Sequence, residues 1–493
     1  MHSSKTKQPS PSVVRAGGGY VLGACIAVLA AAAAVRIACA MNDLWMDEIW
    51  SLTLAKETSS PLAVFTKVHH DNNNYLNTLY LYFLGPHGNP LEYRALSLAA
   101  GVAAVAVAGL IGRRRNAASG LLAMLLVAFS YVHILYSSEA RGYACVVLFS
   151  LLSFYLLDRY LEKRSWKTAL LFSLSTMLGL MSHLSFAAFL CASLTWLVYR
   201  LLKRGAGLMD TALAALATHA APILFLAVLY FIDIRYMVAG GGSRTTLING
   251  YGIALSWTLG APPGDFLMFA AGAMALLILV AGLALLWREK TDWFVFFLGM
   301  IFVFPILLTI IYGTDFIYVR HFIIAIVFLL ILFSFVLGEL CHRGLWGKAV
   351  CAVLLLGYFA ANGPHVASLL VDGRGHYDEA VRFVIAHSNA PDVTIGGDHD
   401  TRVLPVLAFY ANEAAGNRKV EYLPREYWPP TGPEWLICHK KPTETRAPPD
   451  DNVRALAGDN NPYELVKAFS TAPLSGLQWF LYHNRLMGPI KEK

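Results

Sequence analysis

Long apolar stretches separated by short polar segments dominate the first three quarters of the chain. The stretches long enough to cross a bilayer lie at about 20–40, 92–112, 117–136, 141–158, 167–183, 185–202, 209–232, 265–287, 292–312, 318–338 and 345–362. A helix of about 20 apolar residues matches the thickness of the hydrocarbon core. Over residues 1–370 the pattern therefore predicts an all-α polytopic membrane bundle of about 11 transmembrane helices.

The C-terminal region, residues 371–493, has a different pattern, with many charges and two proline pairs. Stretches typical of helices lie at 377–387 and 403–412, and stretches typical of strands lie at 393–395, 419–423, 434–438, 463–469 and 477–482. Helix and strand alternate, which predicts a small α/β domain.

Composition excludes a soluble protein and a disordered one. Hydrophobic residues make up 57% of the chain, charged residues 14%, and the mean hydropathy is +0.52, whereas soluble domains carry about 25% charged residues. The net charge of +7 does not indicate nucleic-acid binding, because the basic residues form short clusters between apolar stretches rather than a stripe with interleaved aromatics. The seven cysteines form no CxxC pair, so they are interpreted as packing residues.

The positions of Lys and Arg predict the orientation. Dense basic clusters recur in alternate loops, as at Arg113–Arg115, Lys203-Arg204 and Arg288 with Lys290. Cytoplasmic loops carry this excess, so the N-terminus is expected in the cytoplasm. An odd number of helices then places the long loops 41–91 and 233–265, and the domain 371–493, outside. The outer segments lack an Asn-x-Ser/Thr acceptor site, which favours a multi-pass protein of a bacterial inner membrane.

Ionisable side chains collect on the predicted outer side. They are Asp47, Glu48, His69, His70, Asp71, Glu139, Arg141, His183, Arg235, Arg244, Asp315, Arg320 and His321. Ionisable groups at membrane depth are costly, and they are usually paired or functional. Several have a structural alternative: Asp47 as a helix cap, Glu139 and Arg141 as a mutual ion pair, His183 as a turn residue, and His69–Asp71 as a solvated cluster. Neighbouring residues of a helix point about 100° apart, so Glu48 is not expected to share the task of Asp47 and is a candidate for a supporting salt bridge.

The order and sidedness of several motifs resemble the GT-C superfamily of membrane glycosyltransferases, near the protein O-mannosyltransferases and the lipid A aminoarabinose transferases of family 39. The motifs are Asp47-Glu48, His70-Asp71 before the aromatic stretch Tyr75–Phe83, Glu92–Ser97, Ser138–Tyr143 and Tyr318–Phe322. The chain departs from many relatives at Asn72–Asn74, where a proline pair is common, and at His321, where tyrosine is common.

The resemblance implies a hexosyl- or pentosyltransferase. Such an enzyme moves a sugar from a polyprenyl-phosphate donor to a hydroxyl of a glycan, lipid or protein acceptor on the outer face of the lipid bilayer, with inversion. Its catalytic group here would be Asp47 as general base with Glu48 and Glu139, the latter orienting the acceptor or holding a metal. Substrate would be bound by His70, Asp71, Arg141, Tyr143, His183, Arg244, Arg320 and His321, with the arginines on the phosphate.

Two other classes of protein stay open. A transporter or flippase of lipid-linked glycans predicts charges at mid-membrane and pseudo-symmetric halves, and a non-catalytic scaffold predicts no gathering of carboxylates and arginines at one face. A divalent metal ion also stays open as a cofactor, since no ligand spacing specifies one.

The predicted orientation can be tested with reporters fused after about residue 373. We expect a reporter that is active only outside the cytoplasm to work there, because the basic loops are held inside. An active cytoplasmic reporter at the same position would show that the orientation is wrong.

Overall fold

The structure is a computed structural model that describes residues 11–86, 88–238, 240–241, 244–261, 264–313, 316–414, 416, 418–441, 448–458 and 462–490. The bundle contains α1 (Pro11–Cys39), α2 (Met46–Glu57), α3 (Ala63–Thr66), α4 (Tyr75–Leu84), α5 (Pro90–Arg113), α6 (Ala117–Ala128), α7 (Tyr131–Ser137), α8 (Tyr143–Glu162), α9 (Trp166–Ser182), α10 (Phe186–Lys203), α11 (Leu208–Ile232), α12 (Leu247–Thr258), α13 (Asp265–Arg288), α14 (Trp293–Leu298), α15 (Phe304–Tyr312), α16 (Ile323–Cys341) and α17 (Gly344–Val371). A π-helical turn, Gly299–Val303, joins α14 to α15 in one span.

The predicted helical membrane bundle is confirmed, and its count of about 11 spans is approximate. Among the described residues, 9 helices are long and apolar enough to span a membrane, or 10 if α6 and α7 form one span. The 17-residue α9 is at the lower limit of spanning length. The loops 41–91 and 233–265, predicted to lie outside, are called the first and second outer loops. The first contains α2 to α4, and the second contains α12, which the sequence did not predict.

The stretch 117–136, predicted as one span, is bent by 60° where α6 meets α7. The break leaves the carbonyl groups at the end of α6 without partners in the helix. Arg36 of α1, only 1% exposed, donates to Ala128 O (2.9 Å) and Val127 O (3.1 Å). A guanidinium at this position satisfies the free carbonyls and balances the negative end of the helix dipole.

The C-terminal region is the predicted small α/β domain. Its elements are α18 (Tyr377–His387), β1 (Asp392–Gly397), α19 (Asp400–Ala414), β2 (Lys419–Tyr422), β3 (Trp435–Lys440), α20 (Asp450–Ala457), β4 (Tyr463–Phe469) and β5 (Gln478–Asn484). The strand order is β2-β1-β3-β5-β4, with β1 parallel to β2 and β3, and the remaining pairs antiparallel. Every predicted strand and helix forms, and α20 is additional.

The α/β domain packs directly on the first outer loop. Leu44 and Ile49 share one buried apolar cluster with Tyr377, Val403 and Tyr410. Tyr410 Oη donates to Leu44 O (2.9 Å), and the backbone N–H of Asp378 donates to Asp43 Oδ2 (2.9 Å). The loop that carries Asp47 is therefore held between the bundle and the sheet domain.

Candidate active site

Asp47 lies in the first turn of α2, and its carboxylate meets two arginines. Its Oδ2 accepts a hydrogen bond from Nη1 of Arg141, and Nη1 of Arg320 lies 3.5 Å from the same oxygen. Trp45 occupies the N-cap position of α2, so the alternative of Asp47 as a helix cap is wrong. The side chains of Asp47 and Arg320 are 13% and 21% exposed, which leaves the cluster accessible at one edge.

Asn72 joins the two sides of this cluster. Its Oδ1 accepts from Nη2 of Arg141, while its Nδ2 donates to Asp47 O and to Ser51 Oγ, both at 3.0 Å. Sequence reasoning treated Asn72 only as a departure from a proline pair. A side-chain amide offers both a donor and an acceptor. This property is what the sequence offered as an indication that Asn72 could join two charged residues.

Glu48, in contrast, is fully buried and fully engaged. Arg94 of α5 donates to both of its oxygens at 2.7 Å, and the backbone N–H of Ala140 donates to Oε1 at 2.7 Å. Neither oxygen faces a space that a substrate can enter, so we remove Glu48 from the predicted catalytic group. It forms the supporting salt bridge for which the sequence made it a candidate.

Glu139 is also buried, at 2% exposure, and its Oε1 accepts from Trp45 Nε1 (2.6 Å). The predicted ion pair between Glu139 and Arg141 does not form, because Arg141 pairs with Asp47. Burial raises the pKa of Glu139 above its ordinary value. The carboxyl is therefore protonated at higher pH than an ordinary glutamate, and it can then donate a hydrogen bond.

Tyr143 and His183 border the arginines. The guanidinium of Arg141 lies over the Tyr143 ring, 4.9 Å from its centroid, and the rings of Tyr143 and His183 are 5.1 Å apart. His183 Nδ1 accepts from the backbone N–H of Ser185 (3.1 Å), as the turn alternative predicted. Burial, and then the positive charges of neighbouring groups, lower the pKa of His183 to about 3. Its imidazole is thus neutral at pH 7.

His321 belongs to the same short segment as Arg320, the 3-10 helix Val319–Phe322. Its ring packs edge-on against Tyr318, with the centroids 5.6 Å apart. Tyr318 also lies under the Arg320 guanidinium at 4.2 Å. This segment presents Arg320 to Asp47, which makes His321 a neighbour of the cluster.

His70 and Asp71 lie where the two outer loops meet. The backbone N–H of Asp71 donates to Val238 O (3.1 Å), and Gly240 donates to Asp71 Oδ2 (2.8 Å). His70 Nδ1 is 3.0 Å from Asp71 Oδ1, and its ring packs on Trp50 at 4.6 Å. Burial raises the pKa of Asp71, but the hydrogen bonds from His70 and Gly240 outweigh it, so the pKa is lowered. Arg244 is exposed on the second loop, and Asp315 lies outside the described residues.

Three further charged side chains near the site were not among the predicted site residues, although Arg94 lies in the Glu92–Ser97 motif. Arg94 pairs with Glu48, and Arg374, after α17, lies 3.9 Å from Glu48 Oε2. Asp233 is buried between the outer loops and accepts from His69 Nδ1 and Tyr75 Oη, both at 2.5 Å. All three lie at or near the end of an apolar stretch. A charge at such a place is what in the sequence could have indicated a buried, paired residue.

Within the described part of the chain, no three His, Cys, Asp or Glu side chains are grouped so that they could hold an ion. Asp47 and Glu139 engage Arg141 and Trp45 respectively, so the role of Glu139 as a metal ligand has no partner set among those residues.

The chain as a whole is similar to solved structures of ArnT from Cupriavidus metallidurans. The apo structure matches 96% of this chain and 100% of its own, with a TM-score of 0.53 and 12% sequence identity. The structure bound to undecaprenyl phosphate matches 96% of this chain and 99% of its own, also with a TM-score of 0.53 and 12% identity. The resemblance predicted from the sequence is thereby confirmed at the level of the fold, a helical membrane bundle with a small sheet domain. No family model and no curated protein matches the sequence.

The buried pair predicts that Glu48→Gln destabilises the protein. The substitution leaves the buried Arg94 charge without a counter-charge, and breaking such a pair costs about 3–5 kcal/mol. We expect a lower melting temperature of the purified protein in detergent. The control is Glu464→Gln, which removes an exposed partner of Arg485 and should leave the melting temperature unchanged. Equal melting of the Glu48→Gln and wild-type proteins would contradict the assignment.

Proposed function

We propose that this protein is an integral-membrane glycosyltransferase that uses a polyprenyl-phosphate-linked sugar. The observation that carries the proposal is the cluster of Asp47, Arg141 and Arg320, which joins one carboxylate to two guanidiniums at the edge of the bundle. Transfer from a sugar phosphate needs a base for the acceptor and cations for the phosphate. The cluster supplies both within a few ångströms.

Asp47 is the general base of the proposed reaction. Among the described residues its Oδ2 takes the arginine contacts and its Oδ1 takes none. Oδ1 accepts the proton of the acceptor hydroxyl as the hydroxyl oxygen bonds to the anomeric carbon. The bond from that carbon to the phosphate oxygen breaks, and the phosphate leaves with the electron pair. Attack and departure on opposite sides of the carbon invert its configuration.

Arg141 and Arg320 stabilise the departing phosphate, whose negative charge grows in the transition state. Arg141 Nε is buried without a hydrogen-bond partner in the described structure, although a buried polar group normally has one. Arg320 meets Asp47 only at 3.5 Å, a weak contact. Both guanidiniums therefore have donors left for phosphate oxygens, and their planar forks suit that anion.

The neighbours of the cluster orient the acceptor. His183 is neutral and its Nδ1 accepts from Ser185, so its Nε2 carries the proton and can donate a hydrogen bond without repelling the arginines. Protonated Glu139 would add a donor beside Asp47. The GT-C fold supports the proposal, since ArnT of the same fold was solved with undecaprenyl phosphate. We place the cluster and the α/β domain on the outer face of a bacterial inner membrane, with a glycan, lipid or protein as acceptor.

The Asp47→Asn variant tests the base. Asparagine keeps the shape of the side chain but cannot take the proton, so we expect turnover to fall by about 100-fold or more while folding is kept. The assay measures free polyprenyl phosphate formed from a panel of polyprenyl-phosphate sugars, with a cell-envelope extract as acceptor. Asp451→Asn, on the exposed face of α20, is the matched control. An Asp47→Asn enzyme with wild-type turnover would refute the assignment.

Arg320 variants test the phosphate site. Arg320→Ala should weaken binding of undecaprenyl phosphate in detergent by about tenfold or more, because a charge-assisted hydrogen bond is lost. Arg320→Lys should restore only part of the affinity, since an ammonium lacks the planar fork. Arg343→Ala, which removes a mostly exposed arginine, should bind normally. Unchanged affinity in Arg320→Ala would remove Arg320 from the site.

A further inference from the structure

The sheet of the α/β domain contains a topological switch point between β1 and β3. From β1 the chain passes through α19 to β2 on one side, whereas β3 lies on the other side. Both β2 and β3 are parallel to β1, so their carboxyl ends lie at one edge. Open α/β sheets bind ligands in the crevice outside these ends, at such a point.

Three polar side chains, Asp398, His439 and Arg402, are joined in a row by hydrogen bonds at the ends of β1 and β3. Asp398, directly after β1, accepts from His439 Nδ1 (2.7 Å) and from the backbone N–H of His439 (3.0 Å). With its proton on Nδ1, His439 presents the lone pair of Nε2, to which Arg402 Nη1 donates at 2.6 Å. Asp398 and His439 are 6% and 9% exposed. The first turn of α19 and the end of β3 thus hold the Arg402 guanidinium in place.

Arg402 is a cation without a directly paired carboxylate among the described residues. Its partner there is the neutral imidazole of His439, and it uses one of its five N–H donors on that contact. The two nearby carboxylates are engaged elsewhere, Asp398 by His439 and Asp400 by Tyr422 Oη (2.6 Å).

This edge of the sheet is the one nearest the membrane bundle. Lys440 of β3 pairs with Gln478 of β5. The preceding residue, Leu477, donates through its backbone N–H to Tyr377 Oη (2.8 Å). Tyr377 in turn donates to the carbonyl of Arg374, whose side chain donates to Leu135 O (2.8 Å) within the bundle. The ends of β1 and β3 therefore lie on the side of the domain that faces the bundle.

We propose that the crevice between the ends of β1 and β3 binds a phosphate group at the membrane surface, with Arg402 as its principal donor. A positioned guanidinium with donors left over matches a phosphate, which accepts two parallel hydrogen bonds and carries up to two charges. The phosphate belongs either to the acceptor or to the headgroup of an anionic phospholipid. Only the acceptor source rests on the proposed function, because the anion site itself requires no transfer.

The test uses the full chain in phosphatidylcholine nanodiscs. The protein is saturated beforehand with undecaprenyl phosphate, so that the cluster of Asp47, Arg141 and Arg320 is occupied. Inorganic phosphate is then titrated calorimetrically. Arg402→Gln should weaken phosphate binding by about tenfold or more, and Arg402→Lys should weaken it less. Arg485→Gln removes the same charge at the far end of β5, on the opposite edge of the sheet, and should bind as wild type does.

A second arm identifies the source of the phosphate. If a lipid headgroup occupies the crevice, replacing part of the phosphatidylcholine by phosphatidylglycerol abolishes the Arg402-dependent binding of inorganic phosphate. If the acceptor supplies the phosphate, that binding persists. Equal phosphate affinity of the wild-type, Arg402→Gln and Arg402→Lys proteins would overturn the proposal, and so would an equal loss in Arg485→Gln. Failure of undecaprenyl phosphate to bind would count against the transferase proposal and leave the Arg402 comparison readable.

Discussion

The candidate site depends on one fully buried ion pair, Glu48 with Arg94. Both side chains are completely excluded from solvent. Such a pair is stable only when its remaining donors and acceptors are also satisfied. Here Arg94 donates further to Ala40 O, Asn42 O and Asp43 O at 2.6–2.9 Å. A single guanidinium therefore ties α5 to the end of α1 and to the start of the first outer loop.

This pair also determines the position of the reactive groups. The bonds of Glu48 fix the rotation of α2 about its own axis. Its neighbour Asp47 then points to a different side of the helix. Glu48 Oε1 accepts from the backbone of Ala140 as well, and Arg141 follows directly. The buried Glu48 therefore positions both the carboxylate of Asp47 and the guanidinium of Arg141. Preorganised charges of this kind stabilise a transition state without the cost of rearrangement during the reaction.

The α/β domain shares the same junction. Arg374 is fully buried and donates to Cys39 O, Leu135 O and Ser138 Oγ, so it reaches the bundle from the first residues after α17. The sheet edge that carries Arg402 lies on this side.

The sequence by itself determined the bundle, the alternating elements of the α/β domain and the place of Asp47, Arg141 and Arg320 near one face. Length and polarity of a stretch are local properties, so the apolar stretches and the elements 377–387 and 463–469 could be located without contacts. The partners of each charge were decided only by the tertiary structure. Asp47 and Arg141 are 94 residues apart, and Asp47 and Arg320 are 273 apart. No local pattern distinguishes Asp47, accessible beside two arginines, from Glu48, buried against Arg94, because the difference arises from which helix packs against each side of α2. The bend between α6 and α7 has the same cause, since Arg36 on another helix satisfies the carbonyls that the break exposes.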